Sequence, residues 1–230
     1  MVNAKDIKTD SIKLKVLCYG KSGTGKTTFA CSFPKAYVFD FDNGMLSQRG
    51  KDVEYDTYKD WGKAEMKLQE LETSCPYDTL VFDSVTIMQE LMMEEVLYVS
   101  KRKMPTLHDW GMLINKLQNT FSRVTRMAPN VVVTAHEQLI QDDITSEVLI
   151  QPLIVGKKLP GQIPLWFDEV YRMQVSRDTK GKAVYQMLTR ADVKYSAKSR
   201  LGVLDTVMDW SKDGKPDDPY SLIMNKIKGR

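Results

Sequence analysis

The 230-residue sequence contains few cysteines and histidines, which limits the chemistry it can support. It has three cysteines, an odd number with no CxxC pair, and two histidines. A disulfide framework or a zinc site would need more of these residues at closer spacing. We therefore expect a chain that folds without either, in the reducing environment of the cytoplasm.

Long apolar runs and a strong excess of charge of one sign are also absent. No apolar stretch approaches the ~18 residues of a membrane span, and the opening MVNAKDIKTDS lacks the apolar segment of a secretory signal. We therefore expect no membrane partner. Lys and Arg number 33 against 30 Asp and Glu, a net charge of +3, so any surface that binds nucleic acid must be local. The hydrophobic share of 42% is typical of a globular protein that buries its own core.

Short apolar strands alternate with helix-like segments in the first part of the chain. The residue pattern predicts strands at 13–19, 36–41, 79–82 and 130–135, the last an uninterrupted apolar run. Helices are predicted from the P-loop to about residue 33 and at 61–71, 85–99 and 108–127. Such alternation predicts an α/β fold with a mostly parallel central sheet flanked by helices.

The second half of the chain follows a different pattern. Residues 137–160 are mostly polar and predict a long loop. Strands at 169–175 and 183–188 flank the turn Asp178-Thr179-Lys180-Gly181 and predict an antiparallel pair. The sequence thus predicts an N-terminal extension (1–12), one core (13–207), and a polar linker with a C-terminal helix (208–230).

Residues 20–27 read GKSGTGKT and satisfy the phosphate-binding pattern GxxxxGK[ST]. The glycines allow consecutive backbone N–H groups to turn towards an anion. The lysine reaches the β- and γ-phosphates, and the final hydroxyl binds Mg²⁺. The predicted nucleotide-binding residues are Gly20, Lys21, Ser22, Gly23, Thr24, Gly25, Lys26, Thr27 and Thr28.

A magnesium site of this kind needs a carboxylate at the end of a second core strand. Asp83 ends the run TLVFD and is predicted to hold the metal together with Thr27. The alternative for Asp83 is to cap the helix that follows, although Ser84 is also suited to that position.

Hydrolysis further needs a group that orients or deprotonates water. Ser84 follows Asp83, so the layout with Glu directly after the metal-binding Asp is excluded. Asp40 and Asp42 stand at the end of the second strand, and Asp42 is the preferred general base; the alternative is a turn-forming Asp-Asn-Gly. His136 ends the buried strand and is predicted either to sense the γ-phosphate or to be structural.

The P-loop, the acid-tipped second strand and LVFDSV at 80–85 together resemble the core of RecA-class ATPases. The elements that follow also have the order found in that core: a helix, a basic loop, a helix, a buried strand, a long loop and a strand pair. The resemblance covers residues 13–207 and is strongest to the short phage-encoded RecA-like ATPases linked to single-strand annealing and recombination. It implies ATP and Mg²⁺ as ligands and ATP hydrolysis as the activity.

The resemblance also implies partners. Two DNA-facing loops would bind single-stranded DNA, the first within 100–107 and the second within 137–162. The implied DNA-binding residues are Lys101, Arg102, Lys103, Lys157 and Lys158. The alternative for the first group is a solvated helix end, where cations complement the helix dipole. A single-strand-binding protein is a further implied partner.

A cationic pair spaced KxR follows the strand pair, at Lys198 and Arg200. In the RecA class such a pair reaches into the nucleotide site of the neighbouring subunit, which implies a homo-oligomer, ring or filament. The alternative is an ordinary charged surface turn, and Arg190 is a weaker candidate for the same task.

Three functions are compatible with these features to different degrees. The first is an ATPase that acts on single-stranded DNA in phage-type recombination, annealing or repair. The second is a binding module gated by nucleotide, with incidental hydrolysis. A small-molecule kinase is disfavoured, because the 137–160 segment contains no Arg for a phosphate-closing lid.

Overall fold

The computed structural model describes residues 12–141, 146–156 and 158–229, which form thirteen strands and six helices. The strands are β1 Lys15–Tyr19, β2 Ala36–Asp40, β3 Glu54–Thr57, β4 Thr79–Asp83, β5 Asn130–Ala135, β6 Glu137–Gln141, β7 Val148–Pro152, β8 Glu169–Arg177, β9 Ala183–Leu188, β10 Lys198–Ser199, β11 Val207–Asp209, β12 Ser211–Lys212 and β13 Lys215–Pro216. The helices are α1 Lys26–Ala30, α2 Trp61–Thr73, α3 Val85–Val99, α4 Leu107–Val124, α5 Leu159–Gln162 and α6 Pro219–Ile227, with 3₁₀ turns at Met45–Gln48 and Ile163–Leu165.

Nine of the described strands form one central sheet. Its order is β11-β9-β8-β1-β5-β4-β2-β3, with β10 paired to β8. The strands from β8 to β3 are parallel, whereas β9, β10 and β11 are antiparallel to their neighbours. The predicted α/β fold, with its mostly parallel sheet and C-terminal antiparallel pair, is confirmed. In consequence the carboxyl ends of β1, β2, β4 and β5 meet at one edge, where ligand sites of such sheets form.

Each face of the sheet carries its own hydrophobic cluster. In β1, Leu17 packs towards α2, α3 and α4, whereas its neighbour Val16 packs towards α1 and α6. The same alternation places Val131 on the first face and Val132 on the second. Because strands buried on both faces carry apolar residues on both, β1, β4 and β5 contain the uninterrupted apolar runs VLCY, LVF and VVV.

The helix boundaries lie close to the predicted ones. Helix α3 has the predicted bounds, and α2 begins after Asp60, whose side chain accepts a hydrogen bond from Lys63 N. Helix α4 ends at Val124 rather than at residue 127. In the part of the chain that the structure describes, no helix combines the length and apolarity needed to cross a bilayer.

The predicted long loop at 137–160 is wrong in part, because it contains a hairpin. Strands β6 and β7 pair antiparallel, with Glu137 opposite Pro152. The hairpin is fixed at its base by an ion pair between Arg172 Nε and Glu137 Oε2, 3.1 Å apart and almost fully buried. The Arg172 guanidinium also lies 4.1 Å from the ring centroid of Tyr195. This anchoring partner is 35 residues away in the chain, so local polarity could not indicate the pairing.

The structure also adds elements that the sequence pattern did not predict. Strand β3 is an edge strand with four exposed residues, so it lacks the alternation that marks a half-buried strand. The predicted linker contains the β12–β13 hairpin, turned by Asp213 and Gly214 at φ of 51° and 77°. Asp-Gly is a strong hairpin signal, so this turn was visible in the sequence. The predicted C-terminal helix is present as α6.

Candidate nucleotide-binding site

The phosphate-binding motif forms the turn between β1 and α1. Gly23 and Gly25 have φ of 78° and 83°, a left-handed conformation that favours glycine. A side chain at Gly20 would overlap the carbonyl oxygen of Met173. The first and last glycines of GxxxxG are therefore needed for close packing and for backbone geometry respectively.

The Lys26 ammonium lies across the inside of this turn. It donates hydrogen bonds to the carbonyl oxygens of Gly20 and Lys21, at 3.0 and 2.8 Å. The Thr24 hydroxyl also donates to Lys21 O, at 2.8 Å, which closes the turn. Burial lowers the pKa of Lys26, and the carboxylate of Asp83 opposes that shift. An ammonium has three N–H donors, so one remains for a phosphate oxygen.

Thr27 and Asp83 form the predicted metal site. Thr27 Oγ1 donates to Asp83 Oδ2 at 2.6 Å, and Asp83 Oδ1 accepts a short hydrogen bond from the Thr134 hydroxyl. Asp83 is 2% exposed. Burial raises its pKa, while the hydrogen bonds from Thr134 and Thr27 act in the opposite direction.

This donor set fits Mg²⁺. The ion prefers oxygen ligands and is typically held by one or two carboxylates together with substrate phosphates and water. The described residues contain no cluster of three or more His, Cys, Asp or Glu suited to hold a metal without substrate. A single carboxylate beside a hydroxyl is thus suited to an ion that arrives with a nucleotide.

The two candidate bases at the end of β2 have different surroundings. Asp40 is 1% exposed; its Oδ1 accepts from Gly44 N at 3.0 Å and its Oδ2 from the Thr57 hydroxyl at 3.1 Å. Both of its oxygens are therefore used to fix the β2–β3 region. Asp42, whose side chain is 23% exposed, lies in the site.

Asp42 is held in place by Ser84, the residue that follows Asp83. Ser84 donates to Asp42 Oδ1 from its hydroxyl at 2.8 Å and from its backbone N–H at 3.2 Å. Asp42 Oδ2 lies 3.5 Å from His136 Nε2. Ser84 precedes α3 without a side-chain capping bond, so its hydroxyl serves Asp42 and does not cap the helix.

His136 is fixed through its backbone. Its N–H donates to Thr86 Oγ1 at 3.0 Å, and its carbonyl accepts from Leu153 N at 2.7 Å. The Thr86 hydroxyl in turn donates to Leu153 O at 3.2 Å. These bonds place the imidazole beside Asp42 and tie the end of β5 to the segment after the β6–β7 hairpin.

One cavity of about 470 Å³ joins these groups. Of the predicted nucleotide-binding residues, Ser22, Gly23, Gly25, Lys26, Thr27 and Thr28 line it, together with Asp42, Asp83 and His136. Lys21 lines an adjoining cavity, while Gly20 and Thr24 are buried within the turn and do not line the cavity. The structure thus brings the predicted phosphate, metal and base residues into one space.

The cavity also contains residues that sequence reasoning missed. Ser47, Tyr185 and Pro216 line it, and they come from a 3₁₀ turn, from β9 and from the tail hairpin. The Gln48 amide donates to Thr28 Oγ1 at 3.1 Å. These residues reach the P-loop only when segments distant in the sequence pack together. No local pattern of residues therefore marks them.

The predicted cationic pair lies on and after β10. The Lys198 ammonium donates to the carbonyls of Pro164 and Phe167, the latter at 3.0 Å, and burial lowers its pKa. Arg200 Nη1 lies 2.8 Å from Asp168 Oδ1, and its side chain is 54% exposed. Neither lines the cavity of its own chain, as a residue that acts in a neighbouring subunit need not. Their role between subunits stays a prediction.

The predicted DNA-binding cations lie apart from this cavity. Lys101, Lys103 and Lys158 are exposed, whereas Lys157 lies outside the described residues. Arg102 is different, because its Nη1 lies 2.7 Å from the buried carboxylate of Asp109. Contact with DNA by these residues stays a prediction.

Comparison with known proteins gives a structural neighbour and a family model. A KaiC-like protein from the hyperthermophilic archaeon Pyrococcus horikoshii OT3 shares 14% sequence identity with a TM-score of 0.46, over 76% of this chain and 77% of that chain. No curated protein matches the sequence. A family model described as an AAA domain matches residues 12–201, which include the P-loop, Asp42, Asp83 and His136. Because this match spans well over half of the chain, the protein belongs to the AAA domain family and has a P-loop ATPase fold.

Proposed function

We propose that this chain binds ATP with Mg²⁺ and hydrolyses the bond between its β- and γ-phosphates. The observation that carries this proposal is the convergence of Lys26, Thr27, Asp83, Asp42 and His136 on one cavity beside the P-loop. The family assignment supports a nucleotide-hydrolysing fold, and the geometry adds the residues that would do the chemistry.

Each residue has a distinct task in this proposal. The Lys26 ammonium and the P-loop amides bind and orient the phosphates. Thr27 and Asp83 would hold Mg²⁺, which when bound neutralises charge on the β- and γ-oxygens. Asp42 Oδ2, the oxygen not bonded by Ser84, accepts the proton of the attacking water. His136 limits the position of that carboxylate from the other side.

The test separates binding from turnover with two variants. Asp42→Asn should bind ATP as the native protein does, because the Asp42 carboxylate contributes little to phosphate binding. Its turnover should fall by about 10²-fold or more. Lys26→Ala should lose tight ATP binding. Calorimetric titration and phosphate release measure the two effects, and Lys180→Ala, an exposed lysine in the β8–β9 turn, is the matched control.

Two results would contradict the proposal. One is Asp42→Asn turnover within about twofold of the native protein, a change too small for loss of a general base. The other is unchanged ATP affinity in Lys26→Ala.

We further propose that the ATPase acts on single-stranded DNA as a homo-oligomer, in recombination, annealing or repair of the phage type. The support is local. Lys101 and Lys103 are exposed beside Tyr98 and Met104, whose side chains are 84% and 78% exposed. Sequence-independent binding of single strands combines two features: cations that neutralise the phosphates, and aromatic rings on which the bases stack. Lys101, Lys103 and Tyr98 provide both. A single-strand-binding protein would be a partner at the same DNA.

A salt titration tests this DNA role. Anisotropy of a labelled oligonucleotide, measured with ATP at several salt concentrations, should show that Lys101→Ala with Lys103→Ala lowers the salt slope by about 0.7 per lysine. The same pair of changes at Lys180 and Lys182, both exposed, is the control. Equal slopes for the native protein and the Lys101/Lys103 variant would contradict DNA binding here.

The competing function is a nucleotide-gated binding module. It predicts that ATP changes affinity for DNA or for a protein partner while added DNA leaves turnover unchanged. The proposed ATPase instead predicts turnover that rises with single-stranded DNA and falls with salt.

A further inference from the structure

We infer that the nucleobase of the bound nucleotide stacks on a wall formed by Tyr185 of β9 and Pro216 of the tail hairpin. This inference rests on the proposed nucleotide binding and adds the residues that position the base. The two residues line the same cavity as the P-loop.

The position of the wall follows from the strand order. Asp42, Asp83 and His136 follow or end strands on one side of β1, whereas β9 lies two strands away on the other side. At about 4.8 Å between neighbouring strands, β4 and β9 are about 19 Å apart. In the proposed binding mode the γ-phosphate would lie between Lys26 and Asp83, so the far end of the nucleotide would extend across the P-loop towards β9.

The tail hairpin brings Pro216 next to Tyr185. Tyr185 N donates to the Ser211 hydroxyl at 3.0 Å, and the Tyr185 carbonyl accepts from Trp210 N at 3.0 Å. Ser211 is paired with Pro216 across the hairpin. This backbone network fixes both rings of the wall relative to β9.

Trp210 locks the wall to the P-loop. It is 3% exposed, and a side chain at Gly25 would come within 2.7 Å of its Cη2 atom and 3.2 Å of Tyr185 Cδ1. Its ring packs against Tyr185 at 5.6 Å between centroids. The glycine before Lys26 is therefore required by this contact as well as by its positive φ.

The wall has the chemistry of a base platform. Tyr185 and Pro216 are half-buried, so they keep surface towards the cavity, whereas Trp210 behind them is fully buried. The aromatic face of Tyr185 can stack on any planar base, and the apolar ring of Pro216 extends this surface. Tyr185 packs against Trp210 and also lines the nucleotide cavity. Packing alone would not require its second position.

The experiment compares two probes, ATP and inorganic tripolyphosphate, both with Mg²⁺. Tyr185→Ala should weaken ATP binding about tenfold, the loss expected for one stacking contact, and leave tripolyphosphate affinity within about twofold. Tyr185→Phe, which keeps the ring, should bind ATP as the native protein does. Tyr55→Ala, at a half-exposed tyrosine on edge strand β3, is the matched control.

Tyr185→Leu guards against a packing effect. It keeps bulk against Trp210 but has no aromatic face, so it should lose ATP affinity as Tyr185→Ala does. Titration calorimetry gives both affinities, and circular dichroism shows whether each variant is folded.

The outcomes distinguish this inference from the proposed function. Unchanged ATP affinity in Tyr185→Ala, or an equal loss of ATP and tripolyphosphate affinity in Tyr185→Ala and Tyr185→Leu, overturns the base assignment while nucleotide binding stands. A native protein that binds neither probe overturns the proposed function and this inference with it.

Discussion

At the scale of single residues, the buried carboxylate of Asp83 is a place where the proposed metal binding would oppose stability. Its two oxygens are bonded by the hydroxyls of Thr27 and Thr134, yet burial still raises its pKa. A carboxylate that binds Mg²⁺ must be charged, and a charge removed from water lowers the stability of the folded chain.

Asp83→Asn tests this opposition. Without nucleotide, we expect its Tm near neutral pH to rise by about 2–4 °C, the shift that ~1 kcal/mol gives in a chain of this size, while Mg²⁺-dependent ATP binding is lost. The folded-state pKa of Asp83 lies above its unfolded value, so the native protein loses stability as pH rises through that interval. Calorimetric scans from about pH 4 to about pH 7 should show that the Tm difference between Asp83→Asn and the native protein increases with pH.

The control for this prediction is Asp42→Asn, whose side chain is partly exposed and should change Tm less. A lower Tm for Asp83→Asn near neutral pH, or a gap that does not depend on pH, would contradict it.

Residue-level reasoning preferred Asp42 to Asp40 as the general base, and the contacts of the two carboxylates in the structure differ. Strand alternation placed both on one side, and the structure shows that Asp40 is occupied by Gly44 and Thr57. Those partners come from a turn and from an edge strand, so the distinction depends on contacts that alternation does not encode.

At the scale of elements, the start of α4 gives Arg102 a structural role within the predicted DNA loop. Thr106 and Asp109 form a capping box. Arg102 Nη1 adds hydrogen bonds to Asp109 at 2.7 Å and to the Thr106 hydroxyl at 2.9 Å. The hydrogen bonds from Thr106, with the positive charge of Arg102, lower the pKa of Asp109.

Arg102→Ala should therefore lower the stability of the fold, whereas Lys103→Ala should not. We expect the Arg102 variant to lose about 2–4 °C in Tm, since it removes a charge-assisted hydrogen bond to Asp109. Lys103→Ala, an exposed residue next to it, should unfold with the native protein. Thermal unfolding by circular dichroism measures both, and equal Tm values for the two variants would refute a structural role for Arg102.

At the scale of the whole molecule, the cationic pair is the feature that bears on assembly. Arg200 is half-exposed and paired with Asp168 at the surface, so it could exchange that partner for a phosphate in a neighbouring subunit. The Lys198 ammonium is already bonded to carbonyls of its own chain, which makes Arg200 the better candidate.

Mixing variants tests this arrangement. Arg200→Ala should bind ATP normally and lose about 10³-fold in turnover, the lower range for an arginine that acts between subunits. Mixed with Asp42→Asn, it should recover part of the activity, because some interfaces then combine an intact Asp42 with an intact Arg200. Phosphate release measures the recovery, and Arg177→Ala, an exposed arginine, is the control. A mixture no more active than its components would contradict action between subunits.

The amino-acid sequence by itself determined the parallel sheet, the P-loop turn and the place of Asp83 at the end of β4. These features are local: apolar runs specify buried strands, GxxxxGK[ST] specifies the phosphate turn, and a carboxylate at a strand end specifies the edge of the sheet where ligands bind. The bounds of α3 and β5 were predicted without error for the same reason.

Only the tertiary structure decided which residues surround these local features. It brought Tyr185 and Pro216 from distant strands to the P-loop, gave Asp40 and Asp42 different hydrogen-bond partners, and paired Arg172 with Glu137 beneath an unpredicted hairpin. Each of these contacts joins segments separated along the chain. Its energy depends on burial and distance after folding, which no local pattern of residues specifies.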